Sequence, residues 1–243
     1  MDLQQIKSDW TRLGRSDPLW AVLASPEQRH GGWDPNAFLA TGREEVRAAL
    51  AHACDLGLAP GRDRALDFGC GAGRLSTALA DHVRSVVGVD ISLTMLAKAR
   101  ELDPTGRCEF IENDREDLSL FDDASFDIVF SSLVLQHLPP QLAHRYLAEM
   151  VRVLRPGGVL IVQVSTGPDR SPRGLLATVL PLPAIRFAQR RVLGYPAPMD
   201  MYAMSRRDLD VVAGRNGARV VDAVDEPMYG GNWRYARYYL TRS

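Results

Sequence analysis

Ala65-Leu66-Asp67-Phe68-Gly69-Cys70-Gly71-Ala72-Gly73-Arg74 decides how this chain folds. An apolar run that ends in alternating glycines and passes straight into a helical stretch reads as a buried strand turning tightly into a helix. Without Cβ atoms the turn lets a ligand approach the backbone, and the helix start offers unpaired N–H groups. The spacing is GxGxG, and Arg74 stands where a GxGxxG fingerprint would place its third glycine. Alone, such a turn is weak evidence for a nucleotide-like ligand.

Working outward, the pattern alternates strand and helix. Strand-like runs lie at 64–69, 85–90, 108–112, 126–131 and 158–165, with helical segments at about 73–83, 92–102 and 140–154. Continuous apolar strands separated by helices predict a parallel sheet covered on both faces. Upstream, a helix is expected from about Arg43 to Leu56, stopping near Gly57 and Pro60. The first forty residues are mixed, with Trp10, Trp20 and Trp33 among Gly, Pro and charged residues.

Downstream the pattern breaks after Ser165: residues 167–204 hold six prolines, three glycines and a short amphipathic stretch at 184–193. Ser205-Arg206-Arg207-Asp208 reads as a capping box for a helix closing at Asn216-Gly217. Strand-like runs at about 218–224 and 233–241 complete seven. The fold expected is therefore α/β: a seven-stranded, mostly parallel sheet with an antiparallel last strand and helices on both faces. One domain, 1–243, divides into a helical cap (1–60), a core (61–166), a lid-like insertion (167–204) and the last helix with a terminal hairpin (205–243).

Bulk properties narrow the function. A formal charge of −1 provides no basic field for nucleic acid. No apolar stretch follows a basic start, so no signal peptide is expected. The longest nearly apolar run, Gly174 to Ile185, falls short of the ~20 residues that span a bilayer. Cys54, Cys70 and Cys108 are odd in number and lack CxxC spacing, which points to the cytoplasm and away from a disulfide frame or zinc.

Acids close successive strands. Asp90 stands 21 positions after Gly69, where a carboxylate accepts both ribose hydroxyl protons. It suits NAD equally, and a helix N-cap before Ser92 is the plainer alternative. Asp114, in Glu112-Asn113-Asp114-Arg115, is placed to accept from an adenine amino group, or to serve as a loop acid or cap.

With these residues in order, the chain resembles the class I S-adenosylmethionine (SAM)-dependent methyltransferases, in the small-molecule, methyltransferase type 11-like group. DFGCGAGR is similar to the family's first motif, GVDIS to its ribose-binding acid and ENDREDL to its adenine-binding acid. SFDIVFSSLVLQHLPP and VLRPGGVLIVQVS resemble its fourth- and fifth-strand motifs. The resemblance implies SAM as cofactor and S-adenosylhomocysteine (SAH) as product. It places Asp67, Gly69, Cys70, Gly71 and Gly73 around the methionine moiety, Asp90 and Ile91 at the ribose, Asp114 and Arg115 at the adenine, and Ser131 beside the sulfonium. The segment before the first motif would fold over SAM, bringing Thr41, Gly42 or Arg43 to the cofactor's carboxylate. A helix packed on the sheet through Trp33 and Phe38 is the alternative.

Methyl transfer to a hydroxyl needs a base. His137 follows the fourth strand, at the sheet end where ligands bind, although capping the next helix would also explain it. His144, seven positions on, shares a similar helical face. The related ubiquinone-pathway O-methyltransferases carry metal-binding glutamates where this chain has Leu133 and Gln136, so no metal is expected. The insertion, with seven Arg against two Asp over 167–207, suits an anionic or amphiphilic acceptor or a homodimer contact. The expected activity is methylation of a small molecule, preferably at a hydroxyl. Carbon or nitrogen methylation, or a non-catalytic SAM-binding partner, are the alternatives.

Overall fold

A computed structural model describes residues 2–172, 174, 179–226 and 233–243. The strands are β1 (Arg64–Phe68), β2 (Ser85–Asp90), β3 (Cys108–Glu112), β4 (Phe126–Ser131), β5 (Leu154–Pro168), β6 (Ala218–Glu226) and β7 (Trp233–Arg242). They form one sheet in the order β3-β2-β1-β4-β5-β7-β6. The first five run parallel, and β7 pairs antiparallel with both β5 and β6. This is the predicted mixed sheet, and strand order reverses direction between β1 and β4. At such a switch point the flanking loops diverge and leave a crevice beyond the strand ends.

Among the described residues the helices are α1 (Leu3–Ser16), α2 (Pro18–Val22), α3 (Pro35–Asp55), α4 (Arg74–Leu79), α5 (Leu93–Leu102), α6 (Pro140–Val153), α7 (Leu182–Arg191) and α8 (Arg206–Arg215). The strand period of two divides the core. Leu66, Phe68, Val87, Val89 and Val129 face α6 and α8, whereas Ala65, Val86, Ile128 and Phe130 face α3 and α4. Fully burying each of these larger side chains stabilises the fold by about 1.5–3 kcal/mol. The capping box appears as read: Ser205 Oγ accepts from the Asp208 N–H at 3.1 Å.

The fifth strand, read as 158–165, extends over Leu154–Pro168, and three helix boundaries also differ from expectation. The stretch read as mixed begins with α1, opened by Asp2, whose carboxylate accepts from the Gln5 N–H at 2.8 Å. Its apolar Leu3, Ile6, Trp10 and Leu13 recur at helical spacing, a signal masked by the polar residues between them. The helix expected from Arg43 starts at Pro35, because Asp34 caps it by accepting from Ala37 N at 2.8 Å and proline suits the first helical position. The helix expected over 73–83 stops at Leu79. Among the described residues, no helix is long and apolar enough to cross a membrane.

Candidate active site

The crevice at the switch point is a cleft of about 760 Å³, counting the solvent at its open mouth, within the size range of small-molecule sites. Its floor is the glycine turn. Gly69 (φ +74°) and Gly71 (φ +53°) adopt a left-handed conformation in which a Cβ would come within 2.3 Å of Val134 and 2.8 Å of Val22. Both valines line the cleft. Gly73 (φ +80°) instead makes room for packing, since its Cβ would meet Ala99 at 3.0 Å and Phe110 at 3.2 Å. Cys70 lies behind the turn as well, its thiol pushed well above the usual range by burial.

Asp90 ties the turn to β2. One carboxylate oxygen accepts from Gly71 N at 2.9 Å and the other from Ser92 N at 2.8 Å. Burial pushes its pKa up to about 6 even though these N–H groups oppose the shift. Each oxygen keeps a second lone pair for a ligand hydroxyl. Asp90 and Ile91 both line the cleft.

At the end of β3 the lining residue is Asn113. Its amide N–H donates to Asp117 O at 3.0 Å, and its buried Oδ1 has no partner. Asp114 lies outside the lining, held by Lys7 of α1 at 3.1 Å, with Glu112 on the same ammonium at 2.7 Å. Arg115 is exposed and donates to Ser119. Ser131 is buried and donates to Phe68 O at 3.1 Å, so the next three residues, Ser132, Leu133 and Val134, reach the cleft instead. Leu133 has φ +62°, which for a bulky residue costs about 1–3 kcal/mol and clusters at functional sites. Its N–H donates to Gln163 Oε1 at 3.1 Å.

His137 sits on a 3₁₀ turn (Leu135–His137) and lines the cleft. Its Nδ1 is 2.8 Å from the Asp200 carbonyl oxygen. A carbonyl can only accept, so Nδ1 carries the proton and Nε2 the lone pair. Burial pushes its pKa below the usual value, against the Asp200 carbonyl, which favours the charged ring. Trp10 fixes the ring edge-to-face at 5.2 Å. His144 lines a different, small cavity with Tyr202 and Met204.

The roof comes from α1 and α2, through Leu3, Ile6, Trp10, Ala21 and Val22. The segment expected there packs elsewhere: Thr41 donates to Phe38 O at 2.6 Å, Gly42 abuts the Arg74 backbone and Arg43 is exposed. Among the cleft's lining residues there is no Arg or Lys. Among the described residues, no cluster of His, Cys, Asp and Glu is placed to hold a metal ion.

Behind the cleft lies a buried charge network absent from the sequence reading. Glu45 of α3 bridges Arg74 at 2.7 Å and Arg237 of β7 at 2.6 Å, and accepts from Ser132 Oγ at 2.7 Å. Arg237 Nε lies 2.6 Å from Glu226, though off the hydrogen-bond direction. Two arginines are thus matched by two carboxylates. Asp67, beside them, accepts from Ser76 Oγ at 2.6 Å and keeps an unpartnered Oδ1. Burial pushes its pKa up to about 7, because the nearby cation is already shared.

Comparison with known proteins accords with this geometry. A family model described as a methyltransferase domain matches residues 66–162. A trans-aconitate 2-methyltransferase of Azoarcus sp. (strain BH72) is 32% identical over 189 residues, covering 74% of this chain and 70% of that protein. The trans-aconitate 2-methyltransferase of Deinococcus radiodurans is 37% identical, covering 59% of this chain and 54% of that one. A demethylmenaquinone methyltransferase of Beutenbergia cavernae is 39% identical, covering 48% and 46%. The chain thus spans about half the length of these last two relatives. Among solved structures, the magnesium protoporphyrin IX methyltransferase of Synechocystis PCC 6803, crystallised with bound SAH, superposes over the whole of both chains with a TM-score of 0.68 at 20% identity, a likeness of fold. Sheet order, glycine turn, strand-end acid and relatives converge: the chain belongs to the class I SAM-dependent methyltransferases.

Proposed function

We propose that this chain transfers a methyl group from SAM to a hydroxyl of an apolar or amphiphilic small molecule, with His137 as general base. The observation that carries the reading is the tautomer of His137. Its Nδ1–H donates to the Asp200 carbonyl, which leaves a neutral Nε2 lone pair on a ring that lines the cleft beside Trp10, Leu133 and Leu138.

The residues present fit the cofactor. A glycine cradle that a Cβ would fill, a carboxylate at the second strand end and the unpartnered Asn113 Oδ1 match a turn, a ribose and an amino donor in that order. Asp90 and Ile91 would hold the ribose, and Asn113, rather than Asp114 in the present position of α1, would meet the adenine side. When bound, the sulfonium supplies an electrophilic methyl, and that chemistry is its own. The chain's part is to orient the acceptor between Leu133 and Trp10, exclude water with the α1–α2 roof and take the hydroxyl proton on His137 Nε2.

A lining without Arg or Lys favours an apolar acceptor over a polyanion. The names of the relatives include both trans-aconitate and demethylmenaquinone as substrates, and the second kind suits this wall better. The test is turnover with isotope-labelled SAM against phenolic, isoprenoid-alcohol and tricarboxylate acceptors, with the methylated atom found by NMR. Methyl on oxygen of an apolar acceptor is expected. Methyl on carbon or nitrogen, or turnover confined to the tricarboxylate, would overturn the reading.

Asp90 makes cofactor binding pH-dependent. Its carboxylate must be ionised to accept from both hydroxyls, and its pKa is raised to about 6. SAM affinity is therefore expected to fall as pH drops through about 6 and to level off above pH 7. Calorimetry on Asp90→Ala should show a loss of about 1.5–3 kcal/mol per charge-assisted bond at neutral pH and no such titration.

A further inference from the structure

Nine large apolar side chains are exposed among the described residues, and five of them, Val179, Leu180, Phe187, Val192 and Leu193, fall within fifteen consecutive positions. Such clustering along one short segment is the make-up of an interaction face, whereas singly scattered exposed residues are not. The centre of the face is α7. None of its residues is fully buried, although it carries Leu182, Ile185 and Phe187. Phe187 is 64% exposed, and Arg190 and Arg191, three and four positions on, share its side of the helix.

The charge around this face has one sign. Between Arg170 and Met199 the chain has five arginines and no Asp, Glu or Lys. Arg29 adds a sixth cation, donating to the carbonyls of Leu193 and Gly194 where α7 ends. The neighbouring acids are turned inward and engaged. Asp200 is buried and paired with Arg186, with Nε at 3.0 Å, and Asp9 is buried within 3.8 Å of Arg190. Arg191 is exposed and has no carboxylate within ion-pair distance among the described residues.

We propose that the 179–193 face docks on the surface of a bilayer containing anionic lipid, with Phe187, Val192 and Leu193 entering the headgroup layer and Arg190 and Arg191 meeting lipid phosphates. An aromatic and aliphatic face flanked by arginines, on a helix too short to span, has the make-up of an interfacial helix. Basic side chains near an anionic leaflet add attraction within a Debye length. A second copy of the chain fits the face poorly. An isologous contact sets the same patch against itself, so arginines would face arginines with no acid of the segment between them.

Docking there would bear on the cleft. Arg190 reaches Asp9 of α1, and Arg186 holds Asp200, whose carbonyl fixes His137. The face is thus linked to the roof and to the candidate base, and an amphiphilic acceptor would enter from the bilayer side. That last step rests on the proposed function; the docking does not.

Sedimentation of the full chain with extruded vesicles tests the docking without SAM, acceptor or turnover. One set is phosphatidylcholine alone, and the other contains about one third phosphatidylglycerol. Binding is expected to the anionic set only and to weaken as salt shortens the Debye length. Arg191→Glu should lower the partition coefficient about five- to thirtyfold, and Phe187→Ser about tenfold or more. Val211→Ser, an exposed apolar site on α8 outside the face, should leave it unchanged. These side chains are exposed, so thermal melts should match the native chain. Equal binding to both vesicle sets, no binding to either, or indifference to Arg191→Glu and Phe187→Ser would overturn the proposal. Concentration-dependent dimerisation abolished by Phe187→Ser, without vesicle binding, would assign the face to a second copy. A chain that docks but methylates no hydroxyl would sink the proposed function alone.

Discussion

His137→Ala is expected to lower kcat by about 10²–10⁴-fold, the usual contribution of a positioned general base. SAM affinity should stay nearly unchanged, because Asp90 and the glycine turn, the residues proposed to hold SAM, lie at other strand ends. The pH profile separates a base from a merely structural ring. Burial holds the His137 pKa below the usual value near 6.5, so the neutral ring predominates at neutral pH. The native rate should rise with pH through that lowered pKa and be flat by pH 7. In His137→Gln, which can still donate to the Asp200 carbonyl, the acid limb should vanish while acceptor KM changes little. A loss under tenfold with the limb intact would hand proton removal to another group. His144→Ala should change kcat less than threefold, since that ring lies in a separate cavity and not in the cleft.

Glu45→Gln should produce the largest loss of stability, about 3–5 kcal/mol, because it leaves Arg74 and Arg237 buried with one carboxylate between them. For a chain of this size that corresponds to a fall in Tm of roughly 6–20 °C. The sign of the pH dependence follows from the native carboxyl. Burial raises its pKa, but Arg74 and Arg237 together outweigh burial and hold it below the usual carboxylate range. Its stabilisation is therefore present above the unfolded value near 4.5 and is lost as pH falls through the lower folded value. Melts of the native chain and Glu45→Gln should thus converge in acid, separate as pH rises towards 4.5 and keep a constant gap above about pH 5. A drop in Tm of less than 3 °C at pH 7 would show that the network contributes little. Ser132 and Gln163 join this network to the cleft wall, so SAM or acceptor binding by the folded fraction should also weaken.

The βα core was legible because its signals are local. Four predicted strands, at 85–90, 108–112, 126–131 and near 64–69, end where buried runs meet turn residues, and those boundaries depend on the chain's own next few side chains. The glycine turn and Asp90 were readable for the same reason: a left-handed turn demands glycine, and a strand's last residue faces the ligand edge of a parallel sheet. The place of His137 at the cleft was legible from its position after β4, whereas its tautomer was not, since Asp200 lies 63 positions away.

Tertiary structure alone decided what depends on contacts between distant segments. It closed the cleft with α1 and α2, whose apolar faces find their partners only once the sheet exists. It exposed Asp114 to Lys7 and turned Asn113 inward, a choice made by the chain's path as it leaves β3. It also joined Glu45, Arg74 and Arg237 across 192 positions, because the antiparallel β7 returns from the far end of the chain to lie beside β5. Sequence determined the cofactor-binding scaffold through short-range spacing. The burial of charge and the shape of the acceptor side arise from long-range packing, which no local pattern encodes.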